Sequence, residues 1–136
     1  MRITAVALSL VVLLAGAVFA WSPINTVVSV PFDFYANNTL MPAGNYSIDT
    51  SNVNRGGVLT ITGRVRGHRV MIPTSPGRGG TVDRSQLVFR VYGDSYFLAE
   101  VHDEFRGTIR RAPESRQEKE MSRGGARSDE VALAVR

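Results

Sequence analysis

Apolar residues at every second position, turn residues at short intervals and the lack of a helical period between Asn25 and Phe105 predict an all-β fold. The expected architecture is an antiparallel β-sandwich or small β-barrel of about six to seven strands, with a short C-terminal helix and a disordered tail. Three segments follow: a signal peptide over residues 1–20, a β-domain over 21–110, and a short helix with a charged tail over 111–136.

The first segment sets the expected compartment. Met1 and Arg2 precede an uncharged, predominantly apolar run from Ile3 to Phe19, broken only by Thr4 and Ser9, that ends among small residues, with Val18 and Ala20 at the two positions a signal peptidase reads. Export machinery recognises that hydrophobicity, and no basic stop-transfer cluster follows, so the sequence predicts cleavage after Ala20 and a periplasmic or extracellular product. Ala17 stands where a lipid-bearing cysteine would follow Leu13, Leu14, Ala15 and Gly16, so no lipid anchor is expected. Contact with a membrane is expected only through the transient signal. The chain has no cysteine, which leaves its core without disulfides or thiolate metal sites.

The elements follow in order. Val28, Val30, Phe32 and Phe34 share one face of an extended segment, and Pro31, which has no N–H to donate, marks an edge or a break. Asn37, Asn38, Pro42 and Gly44 supply turn chemistry before a strand over residues 46–50. Val58 to Thr62 reads as a third strand with Leu59 and Ile61 inward, and His68 to Pro73 as a fourth with Val70 and Ile72 on one side. Thr74 to Thr81, with Pro76, Gly77, Gly79 and Gly80, is a loop. The strongest hairpin signal is Gln86 to Tyr92, then Gly93 and Asp94, then Ser95 to His102; glycine supplies the positive φ of a tight turn. Strict alternation there sets Phe97, Ala99 and Val101 against Tyr96, Leu98 and Glu100. Ser115 followed by Glu118 fits a capping box, predicting about two helical turns to Arg123 before Gly124 and Gly125. Met121 is that helix's only large apolar residue, and residues 122–136 hold too few apolar side chains to fold alone.

Val30-Pro31-Phe32-Asp33-Phe34, then Leu40, Pro42-Ala43-Gly44 and Tyr46, then Leu87-Val88-Phe89, Tyr92-Gly93-Asp94 and Tyr96-Phe97-Leu98 form an ordered series, joined by Ser115, Glu118 and Glu120. In this the chain resembles small exported β-rich proteins of environmental bacteria, which carry a VPFDF, LPAGxY, LxFxxYGDxYFL order and a charged C-terminal segment. Met41 between Leu40 and Pro42 departs from that order. The resemblance implies a compact all-β domain and no activity.

Charge and motifs narrow the chemistry. The net charge is +4, and Lys119 is the one lysine among 16 basic residues. The arginines are spread in company with acids, not clustered on a nucleic-acid footprint, so no nucleic-acid partner is expected. A metal site would have to combine His68 with His102, Asp103 or Glu104; successive strand residues face apart, so neither metal nor cofactor is expected. No serine stands in a nucleophile elbow, and Gly77 to Gly80 lack the lysine and hydroxyl of a phosphate loop. Trp21, Tyr35, Tyr92 and Tyr96 offer either a sugar-stacking surface or ordinary packing, and packing is the commoner use. Arg64, Arg66 and Arg69 form the candidate anionic-ligand surface. The sequence thus points to a non-enzymatic exported domain binding an anionic envelope polymer or a protein partner. The alternative is a small hydrolase or metal-dependent enzyme using His68, His102 and nearby carboxylates.

Overall fold

The computed structural model describes residues 26–65 and 67–135; the expected signal segment, Trp21 and Arg66 therefore lie outside the described residues. The fold is all-β with one C-terminal helix of more than a turn, as the sequence predicts. Eleven strands are present among the described residues, more than the six to seven expected, because several are short.

One sheet has four antiparallel strands in the order β1, β4, β5, β6: Thr26–Val30, Gly44–Asp49, Val58–Gly63 and Arg69–Pro73. A single helical turn, α1 (Val53–Gly56), links β4 to β5. The second sheet is built on the hairpin of β8 (Gln86–Tyr92) and β9 (Ser95–Asp103), turned at Gly93 with φ +60°. Beyond β9 lie two short pairs. At one end β2 (Phe34–Ala36) runs parallel to β9 and carries β3 (Thr39–Met41); at the other β10 (Thr108–Arg111) carries β7 (Ser75–Pro76).

The two sheets face each other across a core that includes Val28, Val30, Phe34, Met41, Leu59, Ile61, Ile72, Leu87, Phe89 and Leu98, all nearly inaccessible. Each such side chain contributes about 2 kcal/mol by leaving water. Pro31 breaks the first strand as expected, and the chain resumes in β2. Asn37 takes φ +56°, so Asn37 and Asn38 turn a small β2–β3 hairpin that the sequence reading had folded into one loop. Met41 is the buried residue of β3, beside Phe34 and Ala36 of β2.

Three expectations are corrected. Strict alternation fails along β9, because the register slips between Val88 and Phe89: Leu98 opposes Phe89, while Val101 opposes Leu87. Leu98 and Val101, three apart, therefore both face the core, with Ala99 taken up in the bulge. The tail is also not disordered. Residues Asp129–Ala134 form β11, antiparallel to β8, placing Val131 opposite Phe89 and Leu133 opposite Leu87. The hydrophobic edge of β8 supplies the surface that Val131, Leu133 and Val135 lack when considered alone. Nor does the β-domain end at residue 110: β10 runs to Arg111, and Ala112 still donates its N–H to Ala99 O at 2.8 Å.

The helix α2 (Arg116–Arg123) begins as predicted, Ser115 Oγ accepting the Glu118 N–H at 3.1 Å. Asn38 adds a second cap, its Oδ1 accepting the Arg116 N–H at 2.9 Å. Instead of an apolar stripe, α2 buries a carboxylate. Glu118 is paired with Arg90 and lies 3.5 Å from the Tyr92 hydroxyl, holding the helix to the outer face of the β8–β9 sheet. On that face Phe97 stacks on Tyr35 with centroids 5.0 Å apart and meets Tyr92 edge-on at 5.7 Å.

Close approach explains two glycine positions. Gly57 has φ +69°, and its carbonyl accepts both the Thr74 N–H and hydroxyl at 2.6 Å; Arg110 in turn bonds Thr74, tying the sheets together. A side chain on Gly77 would strike Ile109, so the glycine-rich loop is fitted against β10.

Candidate binding face

The outer faces of the two sheets differ. The β8–β9 sheet is covered by α2, whereas the four-stranded sheet presents Ser29, Asn45, Thr62, Arg69 and Met71 to solvent. The β5–β6 turn, residues 64–68, extends from one end of this bare face. It is firmly based. Gly63 donates its N–H to His68 O at 2.6 Å, and Arg64 N–H reaches Asn45 O at 3.0 Å. A Cβ on Gly63 would lie 3.1 Å from His68 Cβ and 3.3 Å from Tyr46, so a side chain there would have to push His68 or the buried tyrosine ring aside by a few tenths of an ångström. The Tyr46 hydroxyl donates to Pro42 O, and Ala43 N–H donates to Asp33 Oδ1 at 2.8 Å. Burial, and then the Asp33 charge, push the Tyr46 phenol above its ordinary range. This platform sets the loop of Pro42 and Ala43 against the turn, where both share a recess of about 40 Å³ with Val65 and His68.

Arg64 and Arg69 are exposed, and neither forms an ion pair among the described residues. Four other arginines are tied into the fold: Arg90 to Glu118, Arg106 to Asp103, Arg111 to Glu100 and Arg110 to Thr74. Arg78, Arg84, Arg116, Arg123 and Arg127 are exposed without an ion pair among the described residues but do not share this turn. Arg69 also belongs to β6, the last strand of its sheet, where a charged side chain and Pro73 discourage edge-to-edge pairing. Its charge reaches Asp49. That carboxyl lies below its usual range chiefly through hydrogen bonds from Ser51, with the nearby Arg106 and Arg69 charges lowering it further.

The two histidines are not brought together. His68 is exposed at the β5–β6 turn, while His102 is on β9 in the other sheet, its Nε2 2.9 Å from Glu100 Oε2 and its Nδ1 3.2 Å from Gln86 Nε2. Asp103 takes a third direction. Its carboxylate accepts from the Thr50 hydroxyl and from the Phe105 and Arg106 N–H groups, closing the turn after β9. Among the described residues no group of three His, Asp or Glu side chains is placed to hold a metal ion. Tyr35 and Tyr92 go to packing, as does Tyr96, which stacks on Phe32 at 3.8 Å.

The sequence reading did not mark two features. Pro42 and Ala43 join the turn only through the Tyr46 platform. A groove of about 410 Å³, lined by Val27, Ser29, Asn45 and Ala134, runs where β1 and β11 approach, so it depends on a strand that was not expected. No helix among the described residues is long and apolar enough to cross a membrane. No family model, curated protein or solved structure matches the chain.

Proposed function

We propose that this protein is an exported, non-enzymatic β-domain that binds an anionic component of the cell envelope through Arg64, Arg66 and Arg69. The observation that carries the reading is the state of Arg64 and Arg69: exposed, free of ion pairs among the described residues, and flanking a turn held by Gly63 and Tyr46. A β scaffold commonly presents recognition residues on such turns, because the sheet fixes the base while the tip stays in solvent. Arginine matches carboxylate and phosphate oxygens with a planar fork of donors. Separate exposed contacts of this kind are weak and screened by salt, so binding depends on several acting together.

The test is retention of the purified protein on envelope fractions across a salt series. Retention should fall as ionic strength rises, and replacing Arg64, Arg66 and Arg69 together by Gln should remove most of it at low salt. Retention insensitive to both changes refutes the reading. Export is checked separately by intact mass of the mature protein, expected to begin at Trp21; a chain beginning at Met1 would count against it.

A further inference from the structure

We infer that the anionic component is a phospholipid bilayer, docked by the β5–β6 end of the sandwich with Val65 entering the headgroup region. The inference rests on the preceding reading and names the ligand class of the same site. Val65 is 79 % exposed, more than Leu40, Met71 or Phe105, the other large apolar side chains left in water among the described residues. It stands between Arg64 and Arg66, with His68 and Arg69 close behind. The exposed Pro42 and Ala43 border the same recess, widening the apolar tip. A hydrophilic polymer gains little from an apolar side chain at a hairpin tip. A bilayer gains from it, because the side chain leaves water at the headgroup boundary while flanking arginines remain among phosphates.

Charge distribution gives the same orientation. No Asp or Glu occurs between Arg64 and Val82. The acids at this end are Asp33, which accepts the Ala43 N–H, and Asp94 in the β8–β9 turn, both exposed and outnumbered by Arg64, Arg66 and Arg69. The opposite end of the sandwich carries Asp49, Asp103 and Glu104 around the turns after β4 and β9, with Arg106 the cation among them, paired with Asp103. A negatively charged surface therefore favours the β5–β6 end over the other, presenting Val65 first. This is a membrane contact separate from the signal segment, the one contact expected from the sequence.

Vesicle co-sedimentation tests it, with protein carrying residues 21–136, which holds the whole described fold without the apolar leader. Phosphatidylcholine vesicles with and without phosphatidylglycerol are compared. Binding should require phosphatidylglycerol and weaken on the order of fivefold for each arginine replaced by Gln. Val65→Ser should weaken it by a similar factor, and Val65→Asp should abolish it, while Phe105→Ser at the far end changes nothing. Val65→Trp should bind more tightly and show a blue-shifted emission on vesicle addition, a gain that misfolding does not produce. Lack of phosphatidylglycerol-dependent binding overturns the inference, and so does binding indifferent to every Val65 change. If arginine-dependent retention on envelope fractions persists in either case, the ligand is a polymer and the broader reading stands; if it is lost too, both fail.

Discussion

Glu118 is 1 % exposed while its partner Arg90 is 19 % exposed, and this asymmetry decides what each substitution costs. Burial works against the Arg90 charge, but the hydrogen bond and charge of Glu118 outweigh it and hold the guanidinium firmly protonated. Arg90→Ala strands a carboxylate that cannot reach water, so we expect a loss of about 3 to 5 kcal/mol in urea unfolding. Glu118→Gln leaves a guanidinium that still touches solvent, and we expect a smaller loss of about 1 to 2 kcal/mol. Equal losses would show that the pair contributes by packing alone. Asp49 provides a test of opposite geometry at the surface. Its folded pKa lies below the ordinary 3.8, so the ionised form favours the folded state. That contribution is complete above the unfolded value and disappears as pH falls through the lower folded one. Asp49→Asn should therefore destabilise at neutral pH and become indistinguishable from the parent under strongly acid conditions. A difference that persists there would assign the effect to the Ser51 turn geometry.

Strands with their own periodicity were legible in the sequence, and strands created by a partner were not. Leu59 and Ile61, Val70 and Ile72, and the β8–β9 hairpin each carry a local pattern that already names the buried face. The bulge at Ala99 has no such mark: only the slip against β8 shows that Val101 turns inward with Leu98. For β11, Val131, Leu133 and Val135 alternate correctly, but three side chains cannot outweigh the entropy of ordering a free segment. Pairing with β8, some forty residues earlier, supplies the backbone partners and the half-buried seat. The candidate binding face divides the same way, since the arginine run could be read directly while its Pro42–Ala43 border required Tyr46 to bond Pro42 and pack under Gly63. A chain ending at Arg110 tests the partner-made elements. It loses α2, the Glu118 ion pair and β11, exposing the β8 edge and the Phe97 face. We expect a stability loss of about 3 kcal/mol or more and aggregation on warming, read by thermal melting with light scattering. An unchanged cooperative melt would mean that the C-terminal segment only rests on the sheet.

Across the whole molecule, the two sheets are joined unevenly, and that should govern how it opens. The central strands β4, β5, β8 and β9 each have neighbours on both sides and face the packed core. The strand β11 is paired along one side only, its side chains are at best half-buried, and Gly124 and Gly125 lie between it and α2. Beside it, β1 approaches without a strand pairing, leaving the groove lined by Val27, Ser29, Asn45 and Ala134. Amide exchange reports the free energy of the smallest opening that frees each N–H, and edge segments with few buried apolar contacts open below the global cost. Amides of β8 directed at β9 should therefore be protected to the level of global unfolding, while those bonded to β11 should exchange earlier and together. Val131→Ser should accelerate that second group, leaving the β4–β5 amides nearly unchanged relative to global stability. A single protection level across β11, β8 and β9 would show that the C-terminal strand is an inseparable part of the core, and that the seam beside β1 is as firmly held as the rest of the sandwich.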